Sequence, residues 1–354
     1  MIKKQYNIIG VMSGTSLDGI DLALVSFNLE AQWTFKIIKA ITIAYTNEWL
    51  NTLTQLVEYS TKQLHNIDKD YTLYLGKVIL GFIEENNIIG IDAICSHGHT
   101  AWHKPEDGLT HQIGNLPILS EVLKQTVVCD FRIQDVAYGG QGAPLVPIGD
   151  SILFSNYDYC VNLGGFANVS TQINGKRIAF DICPVNIVLN KYVSKLGLTY
   201  DNEGKLAKDG RLDTNLLNDL NSIPFYTKSF PKSLGLEWVN KLIVPIIEHH
   251  NLSVKDVLRT FVEHIAIQIS KVLNTQQNAS VLMSGGGVYN AYLLSRIKHL
   301  SPNPIFLPTK EIIEFKEALI FGFLGVLKLR GENNCLASVT GAIKDHSSGK
   351  IFRI

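Results

Sequence analysis

No CxxC pair, no excess charge of either sign and no apolar run near 20 residues occurs in this chain of 354 residues. Each absence removes a class of function. Lys+Arg and Asp+Glu both number 32, so no global basic field points to nucleic acid or an anionic membrane surface. The five cysteines, Cys95, Cys129, Cys160, Cys183 and Cys335, are odd in number and scattered. They read as reduced, mostly buried thiols and suggest a cytoplasmic protein. The longest apolar stretches, such as ALIFGFLGVL from residue 318, are too short to span a bilayer. The apolar stretch of the N-terminus is broken by Ser13 and Gly14, so it fails as a signal peptide. Low-complexity tracts are missing too, and 46% hydrophobic content is ample for a packed core.

The chain that remains is patterned twice over. An apolar run at 6–12, the turn SGTSLDG and the alternating IDLALVSF predict a β-hairpin. Near residue 159 the pattern returns as YCVNLGG, NVSTQI, an Asn174-Gly175 turn and KRIAFDI. Tyr71, Leu75, Val78, Ile79 and Phe82 mark one face of a helix over 67–87. Ser253 and Asp256 start another in a capping-box-like way, with Val257, Phe261, Ile265 and Ile269 behind them. Ala137–Gly149 has the highest Gly/Pro density and reads as an interdomain connection. Two α/β halves with a cleft between them follow, divided as 1–131 with a C-terminal return at 342–354, and 132–341.

Three glycine-rich loops, 13–19, 162–170 and 284–290, each follow a strand. Small residues let backbone N–H groups point at an anion, and hydroxyls add donors without bulk. With neither GxxxxGK[ST] nor GxGxxG after the first strand, any nucleotide would be held through paired hairpins. The residues singled out for that role are Gly14, Thr15, Ser16, Leu17, Asp18, Gly19, Ile20 and Asp21, then Asn162, Gly164, Gly165 and Asn168, then Gly285, Gly286 and Gly287. Asp18 either orients Mg²⁺ through water or simply makes the turn. Asp181, ending an apolar strand, is a candidate general base or an Asx-turn residue. In SHGHTAWH, His97 and His99 form an HxH that could hold a metal, contact a sugar or phosphate, or serve the loop. Arg132 could clamp a carboxylate or pair with Asp130 or Asp135.

GVMSGTSLDGIDLAL, SHGHTAWH, CDFR before GGQGAPLVP, NLGGFANVS, PKSLGLEW, the SGGG loop and NNCLASVTGA occur in this order. Together they resemble the anhydro-N-acetylmuramic acid kinases of cell-wall recycling, which belong with sugar kinases, Hsp70 and actin. The resemblance implies an α/β fold of two ribonuclease-H-like lobes, mixed sheets flanked by helices, and ATP in an interdomain cleft. It implies a homodimer. It also implies an ATP-dependent reaction in which water opens the 1,6-anhydro ring at C1 while O6 takes the γ-phosphoryl, with Mg²⁺. The base then falls on Asp181 and the nucleotide loop on Gly14 to Asp21; His97, Arg132 and Gln141 are the expected sugar contacts. This chain departs from the family at FDICPVN, where the family reads FDTGPGN, and at Asn115, where Asp is usual. A narrower sugar pocket, and hence a kinase for another small sugar, is one alternative. A metal hydrolase using His97 and His99 and a non-enzymatic ATP clamp are the others.

Overall fold

The computed structural model describes residues 3–14 and 17–354. Thr15 and Ser16, two of the expected nucleotide-loop residues, lie outside the described residues. The chain divides into two compact units, Met1–Leu153 with Phe315–Ile354, and Phe154–Glu314.

The first unit is built on a sheet opened by three antiparallel strands, β1 (Gln5–Ser13), β2 (Ile20–Leu29) and β3 (Trp33–Ile43). On the other side of β1 lies the parallel strand β4 (Ala93–Lys104), followed by β6 (Val127–Cys129), again parallel, while β5 (Leu109–Ile113) folds back on β4. The C-terminal strand β12 (Lys350–Phe352) closes this edge antiparallel to β6. The helix Thr61–Glu85 begins with a capping box between Ser60 and Gln63, which satisfies two otherwise orphaned N–H groups. It buries Tyr71, Leu75, Ile79 and Phe82 against the sheet residues Ile9, Val11, Ile20 and Leu22. Each large apolar side chain so buried contributes about 1.5–3 kcal/mol.

The second unit repeats the plan: β7 (Tyr159–Leu163), β8 (Phe166–Ile173) and β9 (Lys176–Pro184) form the antiparallel meander. Strands β10 (Val281–Ser284) and β11 (Ile305–Phe306) add in parallel beyond β7. The order β9-β8-β7-β10-β11 matches β3-β2-β1-β4-β6 in the first unit. Two sheets of the same ribonuclease-H-like topology, each with helices packed on it, are the expected fold class. Asn174 and Gly175, both at positive φ, make the two-residue turn that joins β8 to β9. Ser253 caps the helix Val254–Leu273, whose Val257, Phe261, Ile265 and Ile269 are all buried.

The boundaries differ from those expected. The Gly/Pro-rich stretch is folded onto the first unit: Gly140 and Gly142 donate their N–H groups to Asp135, and Gln141 N–H donates to the Thr340 carbonyl. The division falls later, between Leu153 and Phe154. The helix Lys310–Arg330 breaks at Phe315, where φ is −115° and ψ 17°, and from there belongs to the first unit. Its approach to β1 is possible because Gly10 has no Cβ; one placed there would collide with the Ala318 carbonyl.

Candidate functional site

In the first unit the candidate site gathers at the carboxyl ends of β1 and β6 and at the middle of β4. Ser13, the last residue of β1, pairs with Ile20 across the hairpin and with His99 of β4. Its buried hydroxyl lies 2.5 Å from Tyr45 Oη, 2.7 Å from Tyr71 Oη and 2.8 Å from His99 Nδ1. This hub fastens the base of the glycine turn to β4, to the Thr61–Glu85 helix and to the segment after β3. Burial lowers the His99 imidazole to about 4 and raises both tyrosines, so the hub is neutral at physiological pH. Sequence reading missed it, since its members come from four separate segments.

Within the turn, Leu17 N–H donates to the Gly14 carbonyl at 3.2 Å. Gly19, at φ 148°, is packed so closely on Thr42 and Ile43 that a Cβ would clash. Asp18 is exposed and takes no protein partner among the described residues, as a cation-facing carboxylate would. Asp21 differs: its Oδ1 accepts from the Thr42 hydroxyl at 2.6 Å. Ile20 is fully buried, so only its backbone is open to a ligand, while the partly buried Leu17 packs on the same core.

His97 and Arg132 are joined directly. Arg132 donates Nε–H to His97 Nε2 at 2.8 Å and an Nη1–H to the Gly142 carbonyl at 2.6 Å. His97 Nδ1 lies 2.7 Å from the Gly98 carbonyl, so that nitrogen carries the proton. Burial and the Arg132 charge hold His97 well below the ordinary imidazole range. Both ring nitrogens are thus committed, which removes the HxH metal reading. The salt bridges expected of Arg132 are absent as well. Asp130 pairs with Lys350, and Asp135 accepts from Gly142 N–H, Cys335 and Thr340. With Nε and Nη1 placed, Arg132 Nη2 takes no hydrogen-bond partner among the described residues, which leaves donors that a planar anion could engage. Glu317, not foreseen from the sequence, lies within electrostatic reach. It is water-accessible yet crowded by protein, which raises its carboxyl against the pull of Arg132 and Lys316. Gln141 is exposed beside Gly142.

In the second unit the two remaining glycine loops converge. A Cβ on Gly285 would strike Asn162 Oδ1 and the Leu163 carbonyl, and one on Gly287 would strike Leu163. Gly286 faces open space. Gly165 accepts from Val185 and Ile187 N–H, and Gly164 from Asn186 N–H, so their carbonyls cap the helix Asn186–Val193. Asn168 sits opposite both Asn162 on β7 and Asp181 on β9. Asp181 Oδ2 accepts from Leu234 N–H at 2.8 Å, while Oδ1 takes no protein donor among the described residues. Burial raises its carboxyl above the ordinary range, opposed by that Leu234 bond. The Leu234 loop is held in turn by Asp181 N–H on the Lys232 carbonyl, and Lys232 stacks its ammonium 4.8 Å from the Phe225 ring. A carboxylate with one oxygen fixed and one open can accept a proton from water. Ile182, Cys183 and Val185, the departures in FDICPVN, are all buried in this unit's hydrophobic core. Their bulk goes to packing, although Cys183, two residues along the strand, stays within electrostatic reach of the Asp181 carboxylate.

Comparison with known proteins agrees along the chain. A family model described as anhydro-N-acetylmuramic acid kinase matches residues 6–354. The anhydro-N-acetylmuramic acid kinase of Mannheimia succiniciproducens is 34% identical over 381 aligned residues, covering 99% of this chain and 100% of that protein. That of Haemophilus influenzae is 34% identical over 378, covering 99% and 98%. Among solved structures, an activator of the 2-hydroxyisocaproyl-CoA dehydratase from Clostridium difficile with bound ADPNP is similar at 12% identity and a TM-score of 0.43, covering 92% and 97%.

Proposed function

The chain belongs to the anhydro-N-acetylmuramic acid kinase family, and from that premise we propose that it opens the 1,6-anhydro ring of 1,6-anhydro-N-acetylmuramic acid and phosphorylates O6 in one reaction. It is a sugar kinase, a phosphotransferase with an alcohol group as acceptor, and it uses ATP. The observation that carries the finer reading is Asp181: half-buried, one oxygen fixed by Leu234 N–H and the other open.

Asp181 accepts a proton from water as that water bonds to C1. The C1–O6 bond breaks, its electron pair goes to O6, and O6 bonds to the γ-phosphorus as the bond to ADP breaks. Because phosphoryl transfer absorbs the charge developing on O6, no separate acid is needed there. Arg132, oriented by His97 and Gly142, binds the substrate carboxylate with its open Nη2 donors, and Gln141 adds a polar contact. Backbone N–H groups of the turn at 14–21, and of the loops at 162–165 and 285–287, contact the nucleotide. Mg²⁺, for which the exposed Asp18 carboxylate is a fitting outer ligand, would neutralise phosphate charge.

The burial of all three FDICPVN departures in the core supports keeping the family's sugar as the substrate. We place the enzyme in the cytoplasm as a homodimer; no helix among the described residues is long and apolar enough to cross a membrane. The test is coupled ADP release with 1,6-anhydro-N-acetylmuramic acid against glucose and N-acetylglucosamine. Turnover with the anhydro-sugar alone supports the proposal, and equal or greater turnover with a plain sugar overturns it.

A further inference from the structure

Asp135, Cys335 and His346 are far apart in sequence but meet beneath the loop that carries Gly142. All three are buried, and their ligand atoms lie within 4.8 Å of one another, the one such group of His, Cys and acidic side chains among the described residues. Cys335 Sγ is 3.0 Å and His346 Nε2 is 3.6 Å from the same carboxylate oxygen, Asp135 Oδ1. Backbone bonds between Cys335 and His346, in both directions, hold the two side chains in register. His346 Nδ1 lies 3.0 Å from the Lys344 carbonyl, a contact that requires the proton on Nδ1. In the neutral ring, Nε2 therefore carries a lone pair. It is a buried atom without a hydrogen-bond partner, and it is turned toward another acceptor. Two acceptors facing each other away from water are unfavourable unless a cation lies between them.

We propose that Asp135, Cys335 and His346 bind a divalent transition-metal ion, zinc being the first choice. A set of one sulfur, one nitrogen and one oxygen suits zinc and excludes magnesium or calcium. Carboxylate, thiolate and neutral imidazole together offset the two charges of the ion, so the filled site is neutral. Tetrahedral bonds of about 2.0–2.3 Å need ligand-to-ligand edges of about 3.3–3.8 Å; the two edges at Asp135 Oδ1 are 3.0 and 3.6 Å, and the third, from Cys335 to His346, is within 4.8 Å, so side-chain adjustment closes the site. On binding, the Cys335 S–H bond breaks, its proton leaves to solvent, and sulfur bonds to the metal. Thr340 Oγ1, 2.7 Å from Asp135 Oδ1, remains a donor to the carboxylate. The other oxygen, Oδ2, accepts from Gly142 N–H at 2.7 Å, and the Gly142 carbonyl accepts from Arg132 at 2.6 Å. The ion would thus tie the C-terminal segment to the loop that orients Arg132, with Asp135 as a positioning residue.

The experiment is a cobalt and zinc titration of the chelator-stripped full-length protein. One equivalent of Co²⁺ should produce a thiolate-to-cobalt charge-transfer band in the near ultraviolet, Zn²⁺ should bleach it, and either ion should raise the melting temperature. His346→Ala should weaken Zn²⁺ binding by more than roughly tenfold, and Cys335→Ser should abolish the band. The wild-type titration stands even if a variant fails to fold. Saturating cobalt that gives neither band nor melting shift overturns the site, as does a band that survives in Cys335→Ser. Nitrogen NMR showing both His346 ring nitrogens protonated at neutral pH with zinc present would also overturn it, since the cation would then be a proton.

Discussion

Arg132 donates its Nε–H to Nε2 of His97, a contact of 2.8 Å across 35 residues of sequence. The bond fixes the imidazole as a neutral acceptor and turns the guanidinium so that its second donor meets the Gly142 carbonyl. A lysine has one compact ammonium and no fork, so it cannot reproduce this arrangement. Bonds to charged groups contribute about 1.5–3 kcal/mol, so Arg132→Lys is expected to lower kcat/KM for the anhydro-sugar about 10–100-fold. Steady-state kinetics beside a melting curve checks this. A variant that melts lower but keeps its kcat/KM would mean that the pair serves packing only.

Stability should fall on acidification, and three histidines set the window. Burial pushes His99 to about 4 and His264 to about 3, and burial with the Arg132 charge pushes His97 well below its ordinary value. Each is depressed in the folded state, so the unfolded chain takes up protons first. Their stabilisation is present above about pH 6.5 and is lost progressively toward the folded values. For His99 a fall from 6.5 to about 4 corresponds to about 3 kcal/mol in full. Denaturant melts at pH 7.5 and 5 should show a loss of several kcal/mol, and His99→Gln should reduce that difference.

The hairpins, the capped helices and the glycine loops were legible in the sequence because their signals are local: alternation, a turn dipeptide, a cap three residues from its partner. The His97–Arg132 neighbourhood was legible only in part: Arg132 does follow a strand, but His97 lies inside β4 and not after it, and the bond between the two was hidden. Long-range convergence was hidden. Ser13, Tyr45, Tyr71 and His99 share one hub, and Asp135, Cys335 and His346 another, but nothing within a short window of sequence signals either. The Gly/Pro-rich stretch misled because such residues mark any irregular backbone. Here Gly140, Gln141 and Gly142 spend their N–H groups on Asp135 and Thr340, which makes the stretch part of one unit rather than a link between two.

The FDICPVN motif should be neutral for catalysis and costly to revert. Ile182, Cys183 and Val185 are all buried. Val185→Gly removes a core side chain and adds backbone freedom, expected to cost about 2–5 kcal/mol. The triple change Ile182→Thr, Cys183→Gly and Val185→Gly should melt well below the parent, with kcat/KM within a few-fold at a temperature where both are folded. A large gain in turnover would instead show that these side chains narrow the sugar pocket.

Asp181→Asn should retain an acceptor for Leu234 N–H while losing the capacity to take a proton. General-base catalysis contributes roughly 10²–10⁴-fold, so turnover should fall by that order with ATP binding and melting little changed. In the parent enzyme the acidic limb of the kcat profile should lie above the ordinary carboxylate value, because burial raises the Asp181 carboxyl. A destabilised but fully active variant would remove Asp181 from the chemistry.

The coupled ring opening and phosphorylation is tested most directly by turning over 1,6-anhydro-N-acetylmuramic acid and ATP in oxygen-18 water and locating the label at early times. The expected product is a sugar 6-phosphate carrying one oxygen-18 at C1 and none in its phosphate, formed one-to-one with ADP. Label in phosphate, or a phosphorylated sugar whose 1,6-bridge is intact, would contradict it.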